Sequence, residues 1–363
     1  MKKLRVGVMG ATGMVGQRFI TLLSDHPWFD VVCVGASKHS AGKTYEEAVK
    51  GRWKMESKIP MQVKDLQVYS VLDDKKTIAK RVDFIFCALD LEKAQIQEIE
   101  ESYAALGIPV VSNNSAHRWT EDVPMIIPEI NAHHLKLIDI QRKNRKWEKG
   151  LIAVKPNCSI QSYVALLSVW KVFQPQKVYV TSLQAISGAG KTFDSWPEMV
   201  DNVIPFIGGE EEKSEKEPLK ILGSISDSRI TPAKLPKISA TCIRVPVSNG
   251  HLASVRVTFG RKASKEGLLA AIDKFNTIVS QLALPSSPKQ FIHYFQEENY
   301  PQNKLHRDEE HGMGISFGRL RERGQHDWQF ISLSHNTIRG AAGGAVLLAE
   351  LLVKNGYITA SLS

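Results

Sequence analysis

"LRVGVMGATGMVGQRFITLL", residues 4–23, is the stretch that decides the fold. It opens with an apolar, β-branched run and continues through glycines at positions 10, 13 and 16. Apolar side chains then recur at helical spacing, at Val15, Phe19, Leu22 and Leu23. A strand, a glycine-rich turn and a helix in this order predict a Rossmann-type dinucleotide site, in which phosphates lie on the free N–H groups of the helix start.

The three glycines have different expected roles. The first permits the tight turn, the second lets the backbone approach a pyrophosphate, and the third lets the helix pack on the strand. We therefore expect the cofactor to contact the residues of this turn, which are Gly10, Thr12, Gly13, Met14, Val15 and Gly16.

The second predicted strand, "FDVVCVGAS", ends without the acidic residue that holds the ribose hydroxyls in NAD sites. Ser37, Lys38 and Ser40 follow in its place. Hydroxyls and a cation at this point suit a 2′-phosphate, and hence NADP. The same residues are equally compatible with an ordinary polar loop, so both interpretations stay open at this point.

Two further apolar runs, "VDFIFCALD" and "IPVVSNNS", are interpreted as buried parallel strands. In a doubly wound sheet, the residues at the carboxyl ends of such strands contact the ligand. Leu89, Ser112 and Asn113 are therefore expected on the cofactor side.

The composition excludes several classes of function. With 363 residues, 43% of them hydrophobic, the chain can form two domains or one large one. The four cysteines are far apart and lack metal-site spacing, so we expect no metal and a reducing, cytoplasmic location. No segment predicts a membrane span. The net charge of +9 and the basic run at 142–150 lack a nucleic-acid motif and suit anionic small molecules better.

The stretch "AVKPNCSIQSYVALL", residues 153–167, places Cys158 at the predicted start of a helix. The helix dipole and unpaired N–H groups at such a position stabilise a thiolate and can hold an oxyanion. One apolar face of this helix is predicted to carry Ile160, Val164, Leu167 and Val172. The remaining cysteines lie within apolar strand patterns and are interpreted as core residues: Cys33, Cys87 and Cys242.

Three polar residues stand out in apolar stretches of the same half of the chain. Gln184 lies in a predicted strand before a glycine-rich turn, and a buried amide needs hydrogen-bond partners. Arg244 and His251 flank an "SNG" turn between two alternating strands. A lone histidine is more often structural, but one after a turn in a chain with a candidate thiolate is a candidate acid or base.

Two other segments have simpler interpretations. The charged run at residues 210–217 is interpreted mainly as the solvated start of a helix, with charge pairs four residues apart. The small-residue helix near the C-terminal end is apolar enough to be buried against the first domain.

Five motifs in order, "GATGMVGQ", "PNCS", "SLQAISGAG", "GGEEEK" and "RVPVSNGH", resemble those of the aspartate-β-semialdehyde dehydrogenase family, in its archaeal and fungal branch. The resemblance covers essentially the whole chain, including the "SHNTIRGAAGG" segment near its end. It implies an NADP-dependent enzyme of lysine (diaminopimelate), threonine and methionine biosynthesis. Such an enzyme interconverts L-aspartyl-4-phosphate and L-aspartate 4-semialdehyde through a cysteine thioester.

The resemblance also implies roles for individual residues. Cys158 matches the nucleophile, His251 the acid/base and Gln184 the amide that orients the reacting group. Arg244 matches the residue that binds the substrate α-carboxylate, and Glu210 the one that faces its α-amino group.

Further matches concern the phosphate and the cofactor. The implied phosphate pocket consists of Arg118, Asn157 and Lys213. The implied contacts on the nicotinamide side are Ser187, Gly188 and Asn336.

The expected domain layout follows from the motifs and the resemblance. Residues 1–155 are expected to form an NADP-binding α/β domain with a Rossmann-type, doubly wound parallel sheet, completed by the C-terminal helix at about 336–363. Residues 156–335 are expected to form an α+β catalytic and dimerisation domain. A homodimer is the expected assembly, with a homotetramer as the alternative.

Two other functions remain open. A reductase of an acyl-CoA such as malonyl-CoA, or of another acyl phosphate, would keep Cys158 and His251 but would not need Glu210 to bind an amino group. A non-catalytic NADP-binding sensor is less compatible with a complete set of thiol, base and anion-binding residues.

Overall fold

Two six-stranded β-sheets with helices packed on them organise residues 2–360, which the computed structural model describes. The strands are β1 Leu4–Met9, β2 Phe29–Ala36, β3 Val68–Ser70, β4 Phe84–Cys87, β5 Pro109–Ser112, β6 Leu151–Val154, β7 Pro175–Gln184, β8 Ser224–Ser226, β9 Arg229–Thr231, β10 Lys237–Arg244, β11 His251–Phe259, β12 Ile292–Phe295, β13 Ile315–Gly324 and β14 Asp327–Ser334. The α-helices are α1 Met14–Leu23, α2 Tyr45–Val49, α3 Met61–Lys64, α4 Lys75–Arg81, α5 Lys93–Ala105, α6 Pro128–Asn131, α7 Leu137–Arg145, α8 Gln161–Val169, α9 Glu210–Ile221, α10 Lys265–Ser280, α11 Asn303–His306 and α12 Gly343–Lys354. Within residues 2–360, no helix is long and apolar enough to cross a bilayer.

The first sheet has the strand order β3-β2-β1-β4-β5-β6, and all of its pairs are parallel. This is the order of a doubly wound Rossmann-type sheet, so the prediction made from residues 4–23 is confirmed. The direction of winding reverses between β1 and β4. Such sheets bind ligands in the crevice outside the carboxyl ends of the strands at this point.

The second sheet is mixed, with the order β10-β7-β11-β14-β13-β12. The outer pairs β10–β7 and β12–β13 are parallel, and the pairs between them are antiparallel. Helices α8 and α10 pack on it, and Trp170 contacts the rings of Phe259, Phe317 and Phe330 edge-on. This aromatic core holds together the predicted α+β part of the chain.

The strands around the "SNG" turn do not form a hairpin, because β7 lies between β10 and β11. The connecting segment 245–250 crosses the end of β7 and is held there by backbone hydrogen bonds. The Val245 N–H donates to the Gln184 carbonyl at 3.0 Å, and the Ile186 N–H donates to the Val247 carbonyl at 2.9 Å. The ends of three neighbouring strands therefore meet at one edge of the second sheet.

Two helices complete this arrangement. The predicted apolar face of α8 is wrong at Val172, which lies in the 3₁₀ turn Trp170–Phe173 and is exposed, because the tighter turn rotates it off the buried face. Helix α12 packs in the core of the first sheet with Val6, Val8 and Phe19, as predicted for the small-residue helix.

Candidate active site

The glycine turn after β1 has the geometry that a bound pyrophosphate needs. Gly10 has φ +84°, and a Cβ on it would lie 2.2 Å from the Ala88 carbonyl oxygen. A Cβ on Gly16 would lie 2.1 Å from the Gly10 carbonyl oxygen, so α1 packs directly on the turn. Gly13 is exposed and is the N-cap of α1, where no side chain bonds the first N–H groups. The turn therefore leaves backbone donors open to an anion.

The end of β2 lies beside this turn, because the N–H groups of Gly10 and Ala11 donate to the Gly35 carbonyl. Ser37 and Lys38 follow β2 and are exposed. Ser40, in contrast, is buried, and its N–H donates to the Ser37 carbonyl at 2.9 Å. In this loop, Ser37 and Lys38 are therefore exposed near the glycine turn, whereas Ser40 is buried.

The ends of β4 and β5 are linked by Asn114, which sequence analysis missed. Its Oδ1 accepts from the Leu89 N–H at 3.1 Å, and its Nδ2 donates to the Leu89 carbonyl at 2.6 Å. The buried Asn113 Oδ1 has no hydrogen-bond partner among residues 2–360. The Ser112 hydroxyl is fully buried and donates to Glu100 Oε1 at 2.5 Å, so it is directed into the domain.

A cavity of about 300 Å³ lies between the start of α1 and the second sheet, lined by Met14, Arg18 and Ser187 among others. Thr12 and Val15 are half-buried beside Met14. Asn336 is buried, and its Nδ2 donates to Ser187 Oγ at 2.9 Å. A dinucleotide fits this region, because it offers open amides at the start of α1, the unpartnered Asn113 oxygen and this cavity.

Cys158 follows β6 on the turn that joins the two sheets, two residues before Ile160, the N-cap of α8. Cys158 therefore lies on the turn just before α8 and not in the first turn of the helix. The half-buried thiol lies 3.4 Å from His251 Nε2 and donates to Asn157 Oδ1 at 3.3 Å. This contact brings together a candidate nucleophile and a candidate acid/base that are distant in the sequence.

The tautomer of His251 is set by the backbone. The Ala185 N–H donates to His251 Nδ1 at 3.1 Å, so the proton of the neutral ring resides on Nε2, facing Cys158. Burial, with the nearby Arg244 charge, lowers the pKa of His251 to about 3. In the protein alone, His251 is therefore a neutral hydrogen-bond donor toward the sulfur.

The Glu210 carboxylate, at the start of α9, joins three of the predicted site residues. Its Oε2 accepts from Asn157 Nδ2 at 2.9 Å and from Gln184 Nε2 at 3.4 Å, and its Oε1 pairs with Lys213 Nζ at 2.7 Å. Burial opposes ionisation, but Lys213 and Asn157 outweigh it and hold the pKa of Glu210 below its usual value. Glu210 is therefore ionised within the site.

The other two glutamates of the "EEE" run are directed elsewhere. Glu211 accepts a hydrogen bond from the Cys242 N–H at 3.1 Å, and Glu212 pairs with Lys216 on the surface. The Glu212–Lys216 pair has the predicted four-residue spacing, but only these two charged residues of the run 210–217 are exposed, so the prediction of a mainly solvated run is wrong. Of the three carboxylates, Glu210 alone reaches Asn157 within the described part of the chain.

Arg244 is buried at the end of β10, in register with Gln184 of β7, and donates from Nη1 to the Ala185 carbonyl at 2.7 Å. Gly188 covers it from the solvent side. A Cβ on Gly188 would lie 2.8 Å from Arg244 Nη1 and 3.0 Å from His251 Nε2. Glycine at this position therefore leaves both functional side chains in place.

Arg118 reaches the nucleophile turn through Glu217, a residue that sequence analysis missed. Arg118 Nη1 donates to Glu217 Oε1 at 2.9 Å, and Glu217 Oε2 accepts from the Asn157 N–H at 2.6 Å. Glu217 is fully buried and is not part of the solvated run. Its spacing of seven residues from Glu210, two turns on the same face of α9, is the signal that could have identified it.

The electrostatics at Cys158 differ from the sequence-based expectation. Burial and the Glu210 carboxylate raise the pKa of Cys158, and the positive groups Lys155, Arg118 and Arg244 only partly oppose them. In the protein alone the thiol is therefore favoured over the thiolate, and the expectation that the helix start stabilises a thiolate is wrong for this state. Two groups beside Cys158 were also missed, namely Lys155 and Gly340.

Comparisons with known proteins agree with this architecture. The family model "Semialdehyde dehydrogenase, NAD binding domain" matches residues 5–138, and the model "Semialdehyde dehydrogenase, dimerisation domain" matches residues 167–339. The boundary between them falls near the turn that carries Cys158.

Relatives match over nearly the full length. The chain is 43% identical over 353 residues to the aspartate-semialdehyde dehydrogenase of Archaeoglobus fulgidus, covering 97% of this chain and 99% of the relative. It is 40% identical over 361 residues to that of Schizosaccharomyces pombe, covering 98% and 99%. The crystal structure of aspartate semialdehyde dehydrogenase with NADP from Candida albicans matches with a TM-score of 0.87 and 35% identity, over 98% of this chain and 100% of that one. This chain belongs to the aspartate-semialdehyde dehydrogenase family.

Proposed function

We propose that this chain is a phosphorylating, NADP-dependent aspartate-semialdehyde dehydrogenase. It reduces L-aspartyl-4-phosphate to L-aspartate 4-semialdehyde and catalyses the reverse oxidation. The observation that carries the proposal is the 3.4 Å contact between Cys158 Sγ and His251 Nε2, with Glu210 and Arg244 among the charges that act on the sulfur. A thiol and an acid/base in contact suit acyl transfer.

Glu210 and Arg244 give the site one negative and one positive group for an amino-acid substrate. In this proposal the Arg244 guanidinium binds the α-carboxylate and the Glu210 carboxylate binds the α-ammonium group. Both residues are largely removed from solvent, so hydrogen bonds to their charges are strong. Glu210 has no comparable use with an acyl-CoA, which presents no ammonium group at the corresponding place.

The phosphate of the substrate is assigned to Arg118, Asn157 and Lys213. In the protein alone, Arg118 is paired with Glu217 and Lys213 with Glu210. A substrate ammonium group that binds Glu210 would release Lys213 for the phosphate. The ammonium and phosphate groups of the substrate would therefore be bound cooperatively.

Chemistry begins when Cys158 Sγ attacks the acyl carbon, the carbon–oxygen bond to phosphate breaks and a thioester forms on the enzyme. The thiol proton passes to the departing phosphate, while the Nε2–H of the neutral His251 ring donates a hydrogen bond to the developing thiolate. The glycine turn after β1 would hold NADPH, which would supply the hydride that reduces the thioester carbonyl. As the thiohemiacetal collapses, the carbon–sulfur bond breaks and the leaving sulfur accepts the hydrogen bond of His251 Nε2–H and takes up a proton from solvent, while the Gln184 amide orients the reacting oxygen.

The remaining parts of the proposal concern cofactor, domains and assembly. NADP is proposed over NAD because β2 is followed by Ser37 and Lys38 rather than by an acidic residue. We assign NADP binding to residues 1–155, completed by about 336–363, of which 361–363 lie outside the described residues. The catalytic and dimerisation domain is assigned to residues 156–335. A homodimer is proposed because a dimerisation-domain model matches 167–339. A cytoplasmic location is proposed because all four cysteines are unpaired.

A pair of assays tests this function. The purified protein, supplied with NADP, phosphate and aspartate semialdehyde, is expected to produce NADPH, and Cys158→Ala is expected to abolish this production while leaving NADP binding intact. In the second assay, malonyl-CoA and NADPH are expected to give no comparable oxidation of NADPH. Faster turnover with malonyl-CoA than with the semialdehyde would instead identify an acyl-CoA reductase.

A further inference from the structure

Lys155 is a buried cation immediately before the nucleophile turn, and the mechanism above gives it no role. It is 2% exposed, and its Nζ donates to the carbonyl oxygens of Pro156 and Gly340. The backbone of Lys155 is held as well, since its N–H donates to the Ser112 carbonyl at 3.1 Å. A buried ammonium group is costly unless its donors are satisfied and its charge is compensated.

The Gly340 carbonyl that Lys155 binds belongs to the backbone that packs on Cys158. Gly340 lies in the irregular turn Ile338–Ala342 before α12, and a Cβ on it would lie only 2.6 Å from Cys158 Cβ. A Cβ on Gly344 would lie 3.7 Å from Lys155 Cε. Glycine at position 340 therefore makes room for the sulfur-bearing residue, whereas the lysine stem lies at an ordinary contact distance from Gly344.

The charge of Lys155 also acts on the sulfur. Burial and Glu210 raise the pKa of Cys158, and Lys155 opposes them more strongly than Arg118 or Arg244 does. In turn, burial and Arg118 lower the pKa of Lys155 to about 7, while a Cys158 thiolate raises it. A thiolate and this ammonium group thus stabilise each other.

Among the described residues, Lys155 is hydrogen-bonded only to carbonyl oxygens, whereas Arg118 is bonded to the Glu217 carboxylate. A directly bonded carboxylate cancels much of a cation's field, and a carbonyl does not. In its protonated form, which a thiolate favours, Lys155 therefore keeps its charge available to an anion formed nearby.

We propose that Lys155 is a positioning residue for Cys158, whose ammonium group ties the Pro156 and Gly340 carbonyls together beneath the nucleophile and favours its thiolate. The inference rests on the proposed nucleophilic role of Cys158 but not on the identity of the acyl substrate. It connects the lysine of "VKPNCS" with the first glycine of "IRGAAGG", Gly340, in the support of Cys158.

The test measures alkylation of Cys158 by iodoacetamide from about pH 6 to 10 without substrate, because the thiolate is the species that reacts. Cys158→Ala gives the background from the other three cysteines, which are buried. Lys155→Gln keeps a hydrogen-bond donor but removes the charge. In this variant we expect the pH midpoint of Cys158 alkylation to rise by about one unit or more, which corresponds to about a tenfold loss of alkylation rate at pH 7. Lys155→Arg is expected to restore a midpoint within about half a unit of wild type.

Lys220→Gln is the matched control. Lys220 is also buried, and its Nζ also donates to backbone carbonyls, those of Arg118, Thr120 and Val123, but it is not among the groups that shift the pKa of Cys158. We expect the alkylation midpoint of this variant to stay at the wild-type value.

A second measurement separates charge from packing, since Lys155→Gln is expected to lower kcat about tenfold or more with little change in KM.

A folded Lys155→Gln variant with a wild-type midpoint would overturn the proposal. So would an equal rise in Lys220→Gln, which would indicate loosening of the whole region. If Lys155→Gln does not fold, Lys155→Arg decides the matter, because a midpoint raised by a unit or more despite the retained charge contradicts the proposed role. Absence of aspartate-semialdehyde turnover, with these midpoints as expected, would count against the proposed function and not against Lys155.

Discussion

The Ala185 N–H donates to His251 Nδ1 at 3.1 Å and thereby determines which ring nitrogen faces Cys158. Nδ1 is an acceptor in this bond, so protonating it would place two N–H groups against each other. This agrees with a pKa of about 3 for His251, which burial and Arg244 lower from the ordinary value. The protein alone therefore holds a neutral thiol–imidazole pair and not an ion pair of the two groups.

The first prediction follows from this geometry. His251→Ala should lower kcat by about two to four orders of magnitude, as for a lost acid/base. Because His251 is already neutral across the assay range, the variant should leave the pH midpoint of Cys158 alkylation within about half a unit of wild type. An additional inflection below about pH 6 in the wild-type alkylation profile, lost in the variant, would indicate an ion pair and contradict the assignment.

The second prediction separates two effects of Glu210. Its carboxylate raises the pKa of Cys158, so Glu210→Gln should lower that pKa and speed alkylation at pH 7 by a few-fold to about tenfold. The same change should raise KM for aspartate semialdehyde, because the α-ammonium group loses its counter-charge. Glu212→Gln is the control, since Glu212 is exposed and pairs with Lys216. Slower alkylation in Glu210→Gln would reverse the inferred sign.

Substrate binding and thiolate formation are coupled if this sign is correct. An ammonium group that pairs with Glu210 removes most of the negative field that holds the sulfur protonated. The nucleophile would then be activated when the substrate arrives and remain mostly a thiol, less reactive toward other electrophiles, before that.

The third prediction concerns Gly188, which covers Arg244 and His251. A methyl group there would lie 2.8 Å from Arg244 Nη1 and 3.0 Å from His251 Nε2, so both side chains must move. Gly188→Ala should therefore raise KM and lower kcat, each by about tenfold or more. Gly208→Ala is the matched control, because no atom lies within 4 Å of a Cβ at that position. Equal kinetics for the two variants would contradict the inferred crowding.

The sequence predicted those parts of the site that depend on local motifs. A strand, a glycine turn and a helix are contiguous, so Gly10, Gly13 and Gly16 could be identified with their roles. The prediction of a cysteine near a helix start also needs only neighbouring residues. The thioester chemistry and the roles of Gln184, Arg244 and Glu210 came from the resemblance to a family and remain proposals for this chain.

Residues that act through distant contacts could not be predicted in the same way. Glu217 lies within a charged run that the sequence suggests is solvated, and its partner Arg118 is 99 positions away. Lys155 and Gly340 are 185 positions apart, and lysine is rarely buried, so no local pattern links them. The net rise in the pKa of Cys158 depends on burial, which is a property of the folded chain.

The fourth prediction uses Glu100, a fully buried carboxyl beneath Ser112. Burial raises the pKa of Glu100 to about 7, although the Ser112 hydroxyl opposes the shift. Because the folded-state pKa exceeds the unfolded one, the stabilisation is fully present below about pH 4.5 and is lost as the pH rises through 7. Glu100→Gln mimics the protonated form, so it should raise the free energy of unfolding at pH 8 by up to about 3 kcal/mol and have little effect near pH 4.

Chemical unfolding at the two pH values checks the fourth prediction. Glu101→Gln is the control, because Glu101 is half-exposed and pairs with Arg145, so it should show no gain at pH 8. An equal change at both pH values in Glu100→Gln would show that packing, and not ionisation, explains the effect.

The last prediction concerns the cofactor. Strand β2 ends beside the glycine turn, and the exposed Ser37 and Lys38 follow it with no acidic residue in the place that binds a ribose diol. Ser37→Asp introduces an anion where the 2′-phosphate is expected, so kcat/KM for NADP should fall by about 10- to 1,000-fold while that for NAD is unchanged or higher. Lys38→Ala should have a smaller effect that fades as salt is added, because an exposed cation is screened. Lys43→Ala, which removes an equally exposed charge from the same loop, should leave the NADP/NAD ratio unchanged. If Ser37→Asp uses NADP as well as the wild type does, this loop does not bind the 2′-phosphate, and the discrimination must come from another part of the crevice.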